Sequence, residues 1–227
     1  MALNPPPFCA LFDWDGVIID SSRHHEESWE RLAAERQLPL PADHFKKGFG
    51  MKNEWIIPNL LGWTQDPTEI QTLSLRKEAL YRDIIIEWGI HALPGVRPWL
   101  ETLAAAHIPC AIGSSTHRAN IDVSLEQLGL ARFFTAMVTA EDVSRGKPDP
   151  EVFLLAARRL GFPGHRAVVF EDALVGLEAA RAAGAKRIAV ATTHPAHELT
   201  EHADQVVQRL DQLSINQIAG WFDSCSP

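Results

Sequence analysis

The sequence predicts an α/β fold: a doubly wound parallel sheet with an all-helical domain inserted into it. Three observations predict this. From residue 93 onward, short apolar runs alternate with helical patterns, as strands joined in parallel through crossover helices do. Residues 21–92 carry helical patterns only. The polar residues that end the apolar runs come from distant places in the chain, yet a parallel sheet collects its strand ends along one edge, where ligands bind. The expected organisation is a core of residues 1–20 and 93–227 with a helical insert over 21–92.

Each element follows from its residues. Asn4-Pro5-Pro6-Pro7 is a stiff arm that cannot be helix interior. Phe8 to Phe12 is short, apolar and followed by acids, which predicts a buried first strand. Ser21 or Ser22 is placed to cap a helix carrying Trp29 and Leu32 on one face and ending near Leu38-Pro39. Residues 45–54 read as a glycine-punctuated basic loop, and Asp66-Pro67-Thr68-Glu69 starts a long helix to about Trp88. Leu93-Pro94-Gly95 breaks that run. Helices are then expected at about 96–106, up to Leu128, 151–160 and 175–183, with strands at 109–113, 136–139, 167–170, 187–191 and, weakly, 205–207. Four tryptophans of the insert (Trp29, Trp55, Trp63 and Trp88) are expected to form its core.

Composition narrows the function. The 227 residues are 46% apolar, enough for a sizeable core. A net charge of −8 with no basic run argues against nucleic-acid binding, but not against a small anion bound where the site supplies its own cation. The three cysteines Cys9, Cys110 and Cys225 form no C-x-x-C, so neither a disulfide framework nor a zinc site is expected. With neither a signal-peptide pattern nor an apolar run long enough to span a bilayer, a cytoplasmic and membrane-free protein is expected, and the net charge of −8 is compatible with a monomer.

The chemistry starts at Phe12-Asp13-Trp14-Asp15-Gly16. In extended chain, residues two apart point the same way, so Asp13 and Asp15 converge at the mouth of the first strand. Asp13 with Glu171 and Asp172 makes a hard oxygen set suited to Mg2+. Asp13 can attack phosphorus, and Asp15 can protonate a leaving oxygen and then activate water. Ser114 and Lys147 can hold phosphoryl oxygens. Two unit charges about 4 Å apart interact by about 4 kcal/mol at an effective dielectric near 20, so a phosphate entering beside three carboxylates needs both a metal and Lys147. Ser115 and Thr116 suit capping the next helix better than binding substrate, although Ser115 stays a candidate contact.

At these residues the chain resembles the haloacid dehalogenase superfamily, in its phosphatase and β-phosphoglucomutase-like branch with a helical cap. The motifs are Phe12-Asp13-Trp14-Asp15-Gly16-Val17, Ser114 after a strand, Gly146-Lys147-Pro148-Asp149-Pro150, and Phe170-Glu171-Asp172-Ala173 with Gly176. The resemblance implies a Rossmann-like core under a cap that closes on a small phosphorylated substrate. It implies Asp13 as nucleophile, Asp15 as acid/base, and Mg2+ held by Asp13, the Asp15 carbonyl and Glu171, Asp172 or both. In the cap it implies His25 near the active-site mouth and Lys47-Gly48 in a specificity loop, with Lys52 and Asn53 of the cap and Arg118 of the core as further substrate contacts. Where the mutases carry an arginine after that glycine this chain has Met51, and His117-Arg118 replaces their Lys-Asn, so hydrolysis is favoured over a hexose-phosphate mutase.

Overall fold

The computed structural model describes residues 6–48 and 51–223, the side chain of Asp223 excepted. Asn4-Pro5 of the arm, Phe49-Gly50 of the basic segment, and Cys225 lie outside the described residues. The chain divides into two compact units, residues 1–20 with 91–227, and residues 21–90.

In chain order the elements are β1 (Cys9–Phe12), α1 (Ser22–Arg36), α2 (His44–Gly48), α3 (Asn53–Trp55), α4 (Pro67–Trp88), α5 (Val96–Ala105), β2 (Cys110–Gly113), α6 (Arg118–Leu128), β3 (Ala136–Val138), α7 (Glu151–Arg159), β4 (Ala167–Glu171), α8 (Leu174–Ala182), β5 (Lys186–Val190), α9 (Ala196–Leu199), β6 (Gln205–Val207) and α10 (Ile215–Asp223). The six strands form one parallel sheet in the order β3-β2-β1-β4-β5-β6. The winding reverses at β1, which pairs with β2 on one side (Leu11 with Ala111) and β4 on the other (Leu11 with Val169). That reversal is the switch point at which such sheets bind ligands.

Both faces of β1 are covered, which explains its unbroken apolar run. Cys9 and Leu11 pack into one cluster with Ala111, Val169, Phe153 and Ala179. Phe12, pointing the other way, stacks on its sheet neighbour Phe170 with ring centroids 4.4 Å apart, and Trp99 meets Phe170 edge-on. Cys9 and Cys110 are both buried, and burial pushes each thiol up to about 12, so neither is a nucleophile.

In the second unit α1 and α4 pack through Trp29, Leu32, Leu73 and Leu80, with Ile56 and Ile57. Asp66 caps α4 by accepting from the Thr68 N–H at 2.8 Å, and Pro67 occupies the first turn. Trp29 and Trp63 meet edge-on in or against this cluster. Trp55 and Trp88 depart from the expectation of a four-tryptophan core, being 45% and 43% exposed. The inward places beside Trp55 belong to Ile56 and Ile57, and Trp88, at the end of α4, carries the Arg31 guanidinium over its ring.

Several boundaries also differ from expectation. The stretch read as a basic loop contains the one-turn helix α2 up to Gly48. The segment Ile56–Leu60 is a wide π-type turn closed by the Leu61 N–H on the Ile56 carbonyl; Pro58 within it has no N–H to offer an ordinary helix. The helix α1 stops two residues early because Gln37 takes a left-handed conformation and returns its N–H to Ala33 and Ala34. Among the described residues no helix is long and apolar enough to cross a membrane.

Candidate active site

Just past β1, the Asp13 N–H still bonds the Phe170 carbonyl at 3.0 Å, which holds the Asp13 backbone beside the end of β4. The chain then folds back: the Ile18 N–H reaches the Trp14 carbonyl, and the Gly16 N–H reaches the Ile19 carbonyl at 2.9 Å. Gly16 has φ +77, and a Cβ there would stand 2.0 Å from Asp172 Oδ2. Only glycine allows both the turn and the close approach.

Lys147 reaches in from the loop before α7. Its Nζ donates to Asp13 Oδ1 at 2.8 Å and to Glu171 Oε1 at 2.6 Å, beside the Phe153 ring. Glu171 Oε2 accepts from the backbone N–H groups of Asp172 and Ala173, both at 2.8 Å. Its other oxygen lies 1.7 Å from where a Cβ on Gly176 would be, so that glycine lets the carboxylate rest on the first turn of α8. Asp13, Glu171 and Asp172 each present a carboxylate oxygen within 4.8 Å of the others.

Burial raises the Asp13 carboxyl, Lys147 only partly opposes it, and the group is pushed up to about 7. Burial and the neighbouring Glu171 and Asp13 charges hold Asp172 well above the usual carboxylate range. Burial works against the Lys147 charge, but Asp13 and Glu171 outweigh it and keep the ammonium above its ordinary value. Three clustered acids against one ammonium could hold a divalent cation, which would keep all three ionised.

Ser114 is buried at the end of β2, its N–H on the Val138 carbonyl. Its Oγ accepts from the Thr116 N–H at 3.1 Å, and Thr116 Oγ1 donates to Asp15 Oδ2 at 2.5 Å. The expectation that Ser115 or Thr116 caps α6 is corrected here. His117 occupies the cap position, and the Glu141 carboxylate accepts from the Arg118 N–H at the helix start, which leaves the Thr116 hydroxyl to Asp15. Ser115 is exposed.

The sheet edge therefore brings Asp13, Asp15, Ser114, Lys147, Glu171 and Asp172 into one connected set. The other candidates are placed as follows. Arg118 is turned to the Met137 carbonyl and Asp142. Within the insert, His25 stacks on Tyr81 at 4.1 Å with its Nδ1 2.8 Å from Lys77 Nζ. Lys47 pairs with Asp43 at the surface, Lys52 is exposed, and Asn53 donates to Ser74 and to Glu78 at 2.6 Å. Two hydroxyls that sequence reasoning passed over touch the site: Thr192 Oγ1 donates to the Gly16 carbonyl and Thr193 Oγ1 to Asp172 Oδ2. Their signal was position, directly after a strand that the pattern had already located.

Comparison with known proteins gives the same picture. A family model for haloacid dehalogenase-like hydrolases matches residues 9–184. The chain is 38% identical over 209 residues to the chloroplastic 5-amino-6-(5-phospho-D-ribitylamino)uracil phosphatase of Arabidopsis thaliana, covering 91% of this chain and 55% of the relative. It thus spans about half of that relative's length. It is 31% identical over 182 residues to the phosphorylated carbohydrates phosphatase of Thermotoga maritima, covering 78% of this chain and 82% of the other. The solved structure of a family IA, variant 3 hydrolase from Entamoeba histolytica matches with a TM-score of 0.86 at 26% identity, covering 96% of this chain and 100% of that one.

Proposed function

The chain belongs to the haloacid dehalogenase-like hydrolases, and from that premise we propose that it is a Mg2+-dependent phosphatase that works through a phosphorylated Asp13. The proposed substrate is a small phosphomonoester on a polyhydroxylated carbon chain, a sugar phosphate or its sugar-alcohol counterpart. The observation that carries the reading is the Lys147 ammonium bridging Asp13 and Glu171 at the switch point of the sheet. An ammonium fixed on a carboxylate nucleophile is placed to draw a phosphoryl group onto it.

The residues divide the work. An Asp13 oxygen attacks phosphorus, the bond from phosphorus to the leaving oxygen breaks, and Asp15 gives that oxygen its proton. Asp15 then takes a proton from water, the water oxygen attacks the same phosphorus, and Asp13 is released as a carboxylate. Ser114 and Lys147 stabilise the equatorial phosphoryl oxygens through both steps. The carboxylates of Asp13 and of Glu171, Asp172 or both, with the Asp15 carbonyl, would hold Mg2+, which when bound neutralises charge on the phosphoryl oxygens.

The relatives' names support this substrate class, one naming a phosphoribityl compound and the other phosphorylated carbohydrates. Within the insert His25, Lys47, Lys52 and Asn53, and in the core Ser115 and Arg118, remain the proposed substrate contacts. By the resemblance to the mutases, Met51 takes the place of their arginine, which favours water over a sugar hydroxyl as acceptor.

The test is incubation with Mg2+ and a panel of phosphorylated sugars, polyols and nucleotides, following free and organic phosphate together. Free phosphate from a few related sugar or polyol phosphates is the expected result. Interconversion of glucose 1-phosphate and glucose 6-phosphate with little free phosphate, given a bisphosphate primer, would make the protein a mutase. Binding of phosphoesters with no turnover would make it a non-enzymatic member of the fold.

A further inference from the structure

We infer that Thr193 is a positioning residue for the cation site, its hydroxyl setting the Asp172 carboxylate for the metal; this rests on the Mg2+ reading above. The strand β5 runs beside β4 with Ala189 opposite Glu171, so the residues following each strand emerge at the same edge. After β5 the Ala191 N–H still pairs with Val207, and then the Thr192 N–H turns back onto the Val190 carbonyl at 2.9 Å. This three-residue turn directs the chain toward the end of β4. Two consecutive hydroxyls then engage the site from outside the four sequence motifs. The first, Thr192 Oγ1, donates to the Gly16 carbonyl; the second, Thr193 Oγ1, donates to Asp172 Oδ2.

The packing around that second bond leaves little room for alternatives. Asp172 is 3% exposed. A Cβ placed on Gly16 would stand 2.0 Å from Asp172 Oδ2 and 3.1 Å from Thr193 Oγ1, so carboxylate and hydroxyl meet directly over the bare glycine. Asp172 also lies beside the like charges of Glu171 and Asp13, with one carboxylate oxygen of each of the three within 4.8 Å of the others, so the orientation of its carboxylate decides which oxygen a cation would meet. A hydroxyl bonded to one carboxylate oxygen restrains the carboxylate and so fixes the plane in which the other oxygen is offered. Groups that orient metal ligands in this way contribute substantially to metal affinity although they never touch the metal.

The test compares Thr193→Val, which keeps the shape and loses the hydroxyl, with Thr193→Ser, which keeps the hydroxyl. Mg2+ binding to the full chain is measured by isothermal titration calorimetry without substrate, after thermal melting in EDTA has shown each variant folded. The expected result is a Kd roughly 10- to 100-fold weaker for Thr193→Val and within about threefold of wild type for Thr193→Ser. If valine does not fold at this position, Thr193→Ala is measured against Thr193→Ser with the same expectation. An unchanged Kd without the hydroxyl overturns this inference alone. So does a serine variant as weak as the valine one, because the loss then follows shape and not the hydrogen bond. A wild-type protein that binds no Mg2+ overturns the cation reading and this inference together.

Discussion

Asp13 and Asp15 are the same side chain two residues apart, and their surroundings separate them. Asp13 is largely buried, its side chain 13% exposed, and held by an ammonium, while Asp15 takes a hydroxyl from a loop across the sheet edge. Two carboxylates in unlike environments can act as nucleophile and as acid/base. Asp13→Asn keeps the size of the side chain but replaces the proposed carboxylate nucleophile with a neutral amide. Phosphate release should fall by roughly 10⁴-fold or more, while the melting temperature holds or rises because a buried acid is gone from a cluster of acids. An active Asp13→Asn protein would overturn the mechanism. Thr116→Val unties Asp15 without touching the nucleophile. Protonation matters most for a poor leaving group, so kcat/KM on an alkyl phosphate should drop roughly tenfold while that on p-nitrophenyl phosphate changes little. Equal losses on both substrates would remove Thr116 from acid catalysis and make it a structural residue. The four acids, Ser114 and Lys147 were legible in the sequence because each ends an apolar run or sits in a recognisable loop. Thr116 and Thr193 were not, since a hydroxyl after a strand looks like a helix cap until its partner in another loop is known.

At the scale of elements, the strands were legible because both faces of this sheet are covered, which forces unbroken apolar runs. The start of α4 was legible from Asp66-Pro67, whose cap bond is local. What failed depended on distant partners: α6 begins at a carboxylate supplied by Glu141, and two of four tryptophans lost their inward places to isoleucines. Asp142 shows how such distant ties work. Its carboxylate accepts from the Arg159 guanidinium at 2.6 Å and from the N–H and hydroxyl of Thr139, closing the turn after β3. Arg159 foremost holds the Asp142 carboxyl well below the usual carboxylate range. A depressed folded-state value means that the stability it contributes is present above the unfolded value near pH 4 and is lost as pH falls toward the folded one. Asp142→Asn should therefore cost about 1.5–3 kcal/mol at pH 7, the range for hydrogen bonds to a charged group, and the gap to wild type should narrow between about pH 5 and pH 3. Urea unfolding at the two ends of that range checks it. A gap that is constant with pH would mean that Asp142 acts through shape rather than charge.

Over the whole molecule, the proposed cation site would couple folding to Mg2+. Folding collects Asp13, Glu171 and Asp172 from two distant parts of the chain into one place, with the Lys147 ammonium beside them. That arrangement is held against like-charge repulsion, and the unfolded chain, where the acids are far apart and solvated, does not bear it. A ligand that binds the folded chain alone stabilises it by mass action, by about 2.7 kcal/mol at 100 times its Kd. For a chain of this size that is a rise in melting temperature of roughly 5–10 °C. Mg2+ should therefore raise the melting temperature of the wild-type protein, excess EDTA should reverse the rise, and Asp172→Asn should blunt it. Turnover should follow the same titration and vanish at excess EDTA, because Lys147 alone only partly offsets three carboxylates for an entering phosphate dianion when each close pair of charges is worth about 4 kcal/mol. The two readouts separate the roles of the ion. A melting shift without any loss of turnover under confirmed metal removal would leave a structural cation and remove Mg2+ from the mechanism. Loss of turnover with no shift at saturating Mg2+ would mean that the ion enters with the substrate and is not held by the folded acids beforehand.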